Sequence, residues 1–230
     1  IGNYSKFSVF LKKNIFFLKK KNFLFKENSL DLIVISHTLN YFLNPLKEIK
    51  KYKKFLKNDG FLLILIPNIQ KNIFYTLMSD QKTIMTKTSL QNLLFLSGFS
   101  YSFIKDKSLS REIICLSRPI SNNLSPLKKT DNTLEKNLKK LSYIKKKILK
   151  IKSNKINVLG TNVNSAFIDE ILKKKTKNFV SDFKQKNQVF RGKKIIERIK
   201  LEKDEILINC IKINNKFLIN KTKAKIINIF

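Results

Sequence analysis

Two short apolar runs, Leu30–Ser36 (LDLIVIS) and Phe61–Ile66 (FLLILI), flank a stretch of helical spacing, and no other feature restricts the fold as much. Each run is aliphatic with little polar alternation, the pattern of a parallel strand covered on both faces. Between them Leu46, Ile49, Tyr52, Phe55 and Leu56 recur at helical intervals, and the opposite face is lysine. Pro45 suits the first turn, because its ring presets φ and its missing N–H would be orphaned there anyway. Asn58-Asp59-Gly60 reads as the turn that ends the helix, and Pro67-Asn68 stops the second strand. Strand, helix, strand predicts a parallel βαβ unit.

The flanking segments extend this α/β reading. Residues 15–25 (IFFLKKKNFLF) form two apolar pieces around a lysine cluster, followed by a turn at Lys26–Ser29. Thr88–Leu96 predicts a helix with Leu90, Leu93 and Leu94 inward and Gly98 as its stop. Tyr101–Ile104 and Glu112–Ser117 read as a hairpin of two strands. Periodicity then vanishes over Pro119–Asp131, where Pro, Ser and Asn cluster, so a linker is expected at 119–133 between domains spanning 1–118 and 134–230. In the second domain, Leu134–Ile151 predicts a helix with Leu134, Leu138, Leu141, Ile144, Ile148 and Ile151 on its apolar stripe. Lys155–Leu159, Lys177–Ser181 and Glu205–Ile211 read as strands, with a turn at Gly160-Thr161-Asn162 and a helix over Ser165–Lys173. Asp182 ends the middle strand. There is no internal repeat.

Composition narrows the chemistry. The longest apolar run, Gly60–Pro67, falls far short of the roughly 18 residues of a membrane span, so a soluble protein is expected, and its two single cysteines fit a reducing cytoplasm. Cys115 and Cys210 sit singly in strand-like runs as expected buried thiols, and with one histidine in 230 residues no zinc site is expected. The formal net charge of +32 points toward a polyanionic partner such as nucleic acid. Against that, only four of the 48 basic residues are Arg, the side chain suited to bidentate phosphate contacts, and the excess of Lys, Asn, Ile and Phe also follows from an AT-rich coding sequence. Lys12–Lys21, Lys47–Lys57 and Lys136–Lys152 remain candidate basic faces.

The run ENSLDLIVISHTLNYFLNPLKEIKKYKKFLKNDGFLLILIPN, Glu27–Asn68, resembles the fourth strand, helix and fifth strand of class I S-adenosylmethionine-dependent methyltransferases. Asp31, His37, Leu39, Pro45, Leu56 and Gly60 match that pattern in type and order. Ligands of open α/β sheets bind beyond the carboxyl ends of the strands, where Ser36 and His37 fall. The resemblance therefore implies S-adenosylmethionine as cofactor, Ser36 and His37 beside it, and His37 as the catalytic residue. MSDQKTIMTKTSLQNLLFLSGF, Met78–Phe99, is similar to C-methyltransferase-like proteins of sugar and surface-polysaccharide biosynthesis, which implies a nucleotide-linked sugar or similar metabolite as acceptor. Gln81 and Ile84 replace histidines of those relatives, and Tyr41 replaces another and is expected in the core. KINVLGTNVNSAFIDEIL, NFVSDF, VFRGKKII and DEILINCI resemble the small Rossmann-like domain attached to the same enzymes.

The fold implied is an incomplete class I methyltransferase sheet followed by a smaller Rossmann-like α/β domain. A glycine-rich cofactor loop and the acidic residue after the second strand are not recognisable, and Asn3 stands where that acid is usual. The first strand is expected to lie outside the chain, leaving it N-terminally incomplete, poorly stable and inactive alone. His37 can be a base or a packed structural residue; Ser36 a cofactor contact or a strand end; Asp31 a cap at the opposite end of the strand. Gly160 with Asp182 can hold a nucleotide or make a packing turn. A non-catalytic polyanion-binding protein and a degenerate remnant are the competing readings.

Overall fold

The computed structural model describes residues 25–121, 127–129, 131–181, 188–211 and 222–229. Asn3, Asp182 and the basic stretch Lys12–Lys21 lie outside them. The fold is α/β, with one mixed four-stranded sheet and one six-stranded sheet of largely parallel strands.

The first sheet has the order β1 (Leu30–Ser36), β2 (Leu56–Pro67), β4 (Glu112–Pro119), β3 (Phe99–Ile104). β1 and β2 are parallel, as the apolar runs require, and the crossover is α1 (Pro45–Phe55). Asn44 caps α1 by accepting the Lys47 N–H, and Pro45 sits at its start. β4 is antiparallel to both β2 and β3, which confirms the hairpin. α2 (Lys87–Leu96) begins with a reciprocal cap between Thr86 and Ser89.

Two local expectations are corrected. Asn58-Asp59-Gly60 does not end the helix: α1 closes at Phe55 and β2 begins at Leu56. The pairing steps from Leu30↔Leu56 to Leu32↔Phe61, so Lys57–Gly60 bulges out of the ladder. A Cβ on Gly60 would lie 2.9 Å from the Leu30 carbonyl oxygen, which is why glycine stands where the bulge returns. Nor is β1 covered on both faces. Ile35 is 3% exposed, whereas Leu32 is 37% and Val34 52% exposed. α1 and α2 pack the same face, placing Ile49, Leu90 and Leu94 on Ile35, Leu62, Ile64 and Ile66. Among the described residues β1 is an edge strand and no helix covers the face of Leu32 and Val34.

The second sheet has the order β10 (Lys225–Asn228), β9 (Ile206–Asn209), β5 (Ile156–Leu159), β6 (Thr176–Val180), β8 (Lys193–Ile196), β7 (Val189–Phe190). All neighbours are parallel except β7 with β8. The chain moves from β5 toward β8 on one side and from β9 to β10 on the other, a doubly wound arrangement. α4 (Val163–Leu172) starts at Asn162, whose side chain accepts the N–H groups of Asn164 and Ser165. Gly160 takes φ +89°, and a Cβ there would meet Ile211 Cδ1 at 2.6 Å. The turn therefore serves close packing of strand ends.

α3 (Thr133–Leu149) packs Leu141, Ile144 and Ile148 on this sheet, but Leu134 and Leu138 are exposed and Asn137 is buried in their place. Asn137 Nδ2 donates to the Ile69 carbonyl and to Thr76 Oγ1, at 2.8 and 3.2 Å. The first turns of α3 thus rest on polar backbone of the loop after β2, which rotates the expected stripe. That loop joins the two halves. Its 3₁₀ turn Ile73–Leu77 puts Phe74, 0% exposed, into the second core against Phe167. No helix among the described residues is long and apolar enough to cross a membrane.

Candidate functional site

Parallel pairing of β1 with β2 brings their carboxyl ends to one edge, and the site is built there. Ser36, paired with Leu65, is the last residue of β1 and is exposed. His37 follows with φ +52°, the left-handed region that costs a non-glycine residue about 1–2 kcal/mol. Its N–H donates to the Leu65 carbonyl at 2.9 Å, extending the ladder by one bond and fixing the turn. The His37 side chain is 49% exposed.

Its neighbour is Glu112, the first residue of β4, which stands opposite Pro67 at the end of β2. Glu112 Oε2 lies 3.7 Å from His37 Nδ1, and the glutamate side chain is only 15% exposed. Burial pushes the Glu112 carboxyl above the usual carboxylate range, while the attraction of His37 pulls it back. Oε2 has no hydrogen-bond partner among the described residues. Sequence reasoning did not single out Glu112. The available signal was a charged residue opening the apolar run Ile113-Ile114-Cys115-Leu116, but its meaning depends on a strand pairing distant in the chain.

Beneath this edge the chain makes a 3₁₀ turn, Leu39–Tyr41. Asn40 is 2% exposed, and its Nδ2 donates to Gln81 Oε1 at 3.0 Å. Its carbonyl accepts the N–H groups of Lys82 and Thr83. Gln81 therefore ties the loop Met78–Thr83 to the turn after β1. Tyr41 is corrected from core to surface: it is 41% exposed and its hydroxyl donates to Asp80 Oδ2 at 3.0 Å. Hydrogen bonding to that carboxylate raises the Tyr41 hydroxyl above its ordinary range. Asp31 pairs with Lys57 at 2.7 Å at the far end of β1, away from His37.

The described residues supply an imidazole, a desolvated carboxylate and a bonded loop, which together can accept and hold a proton. They do not supply a cradle for an adenosyl group. The glycines with positive φ, Gly98, Gly160 and Gly192, follow α2, β5 and β7, and none lies beside the end of β1.

No protein-family model matches this chain, and no curated protein matches it. Among solved structures it is similar to the CurJ carbon methyltransferase, at 14% identity and a TM-score of 0.34, over 42% of this chain and 31% of that one. It is similar to the YcgJ protein of Bacillus subtilis at 10% identity and a TM-score of 0.37, over 44% of this chain and 68% of that one. It is also similar to a SAM-dependent methyltransferase of Aquifex aeolicus at 16% identity and a TM-score of 0.35, over 49% and 59%. The chain spans less than two thirds of the first and third of these proteins. Likenesses at this level carry no argument about function.

Proposed function

We propose that this chain forms the acceptor-side wall of an S-adenosylmethionine-dependent methyltransferase, with His37 as general base and carbon of a nucleotide-linked sugar or related metabolite as the methyl acceptor. The observation that carries this reading is the position of His37: one residue beyond a parallel strand, in a left-handed conformation, beside the carboxylate of Glu112. Strain of this kind persists where surrounding bonds over-determine it, here through the Leu65 carbonyl. The methyltransferase-like run Glu27–Asn68 gives the edge its chemical meaning.

When bound, S-adenosylmethionine supplies an electrophilic methyl group. This chain's part is to remove the proton from the acceptor carbon. His37 takes that proton on the ring nitrogen turned away from Glu112, and the carboxylate offsets the charge the imidazole then carries. Ser36 lies at the same rim and can accept or donate one hydrogen bond to either ligand.

The test is transfer of tritium from methyl-labelled S-adenosylmethionine into the nucleotide-sugar fraction. It compares the native protein with His37→Ala. Transfer by the native protein and little by His37→Ala is expected. No transfer by the native protein overturns the reading, and transfer by His37→Ala at the native rate overturns the role given to His37.

A further inference from the structure

We propose that Glu112 is the positioning residue of this site: it holds the proton of the neutral His37 ring on Nδ1 and so leaves the Nε2 lone pair facing the reactant. The inference rests on the reading of His37 as a base, and it names the group that makes that base competent. Free imidazole side chains favour the proton on Nε2, which would leave the outward nitrogen unable to accept one. A base at this rim therefore needs an acceptor on its Nδ1 side.

Three observations place Glu112 in that role. The first is register. Glu112 opposes Pro67 and His37 bonds to Leu65, so both residues are anchored to the end of β2, a central strand of the sheet. The second is approach. Nδ1, rather than Nε2, is the nitrogen nearest the carboxylate, at 3.7 Å, longer than a hydrogen bond and short enough for a small side-chain rotation to close. Hydrogen bonds of this type are commonly long until a ligand is in place. The third is an unmet need. Glu112 Oε2 is buried without a hydrogen-bond partner among the described residues, and His37 Nδ1 stands 3.7 Å from it. A buried carboxylate oxygen left in this state is costly, so it marks a position kept for a partner.

The alternative is a structural glutamate that happens to lie near a histidine. It would need other bonds to hold it, and Oε2 has none among the described residues.

The test exploits the single histidine of the sequence, which makes every imidazole ¹⁵N signal of the protein a signal of His37. Spectra of the neutral ring in the native chain are expected to show a pyrrole-type Nδ1 and a pyridine-type Nε2. In Glu112→Ala the two types should exchange, and in Glu112→Gln, which keeps an acceptor oxygen, the native pattern should be retained. A native ring protonated on Nε2 overturns the proposal without any variant. An unchanged ring in a Glu112→Ala protein whose amide spectrum remains dispersed overturns it as well. None of these readouts depends on methyl transfer, so a failed activity assay and a failed tautomer assignment are separable results.

Discussion

The rings of Phe74 and Phe167 meet at 5.5 Å although one follows a strand of the first sheet and the other lies in a helix over the second. Phe74 belongs to the core of the second sheet, where it packs with Leu141, Ile144 and Ile168. The loop that carries it also bonds Asn72 to Asn164 and Gln70 to Thr133. The two halves are therefore joined by an inserted side chain.

Truncating that side chain should uncouple them. Phe74→Ala is expected to cost about 3–5 kcal/mol, the usual range for emptying a buried aromatic site. Urea unfolding followed by far-UV circular dichroism should change from one transition to two. A change below about 1 kcal/mol with a single transition would mean that Phe74 does not join the halves.

Glu112 should show the opposite behaviour, because its site favours function over stability. Burial raises its carboxyl, so the folded chain holds that proton to higher pH than the unfolded chain does. Stability from this group is present at pH below the ordinary carboxylate range and falls as pH rises toward the raised value. Glu112→Gln removes the penalty. Its melting temperature is expected above that of the native chain at pH 8 and level with it at pH 4. A lower melting temperature at pH 8 would make the His37 pair a net stabiliser instead.

Both thiols should be silent in the folded state. Cys115 and Cys210 are each 0% exposed, and burial raises both, Cys210 to about 12. Cys210 also donates to the Leu159 carbonyl at 2.9 Å. Since the thiolate is the reactive form, a disulfide reagent at pH 8 should modify neither until urea unfolds the chain, and then both. Modification of either one in the native chain would contradict the described packing.

How much of this was legible in sequence depends on range. The β1–α1–β2 unit could be read because its signals are local: Pro45 at a helix start, continuous aliphatic runs, Pro67 at a strand end. The exposure of Leu32 and Val34 could not, because an apolar residue looks the same on a covered face and an uncovered one. β7 has two residues, and β8 and β10 each open on lysine, so no continuous apolar run marks them. Asn137 displaced Leu134 and Leu138 from the buried side of α3 because the surface beneath is polar backbone from residue 69, a fact of tertiary packing. The site divided in the same way. His37 followed from a strand end, whereas Glu112 became visible only once β4 was paired with β2.

The base role of His37 is tested most directly by chemical rescue. The protein carrying His37→Ala is expected to lose about 10²–10⁴-fold in methyl transfer, the range for removal of a general base, and to recover a measurable part of it when free imidazole is added. A His37→Ala protein that transfers methyl groups at the native rate would contradict the account.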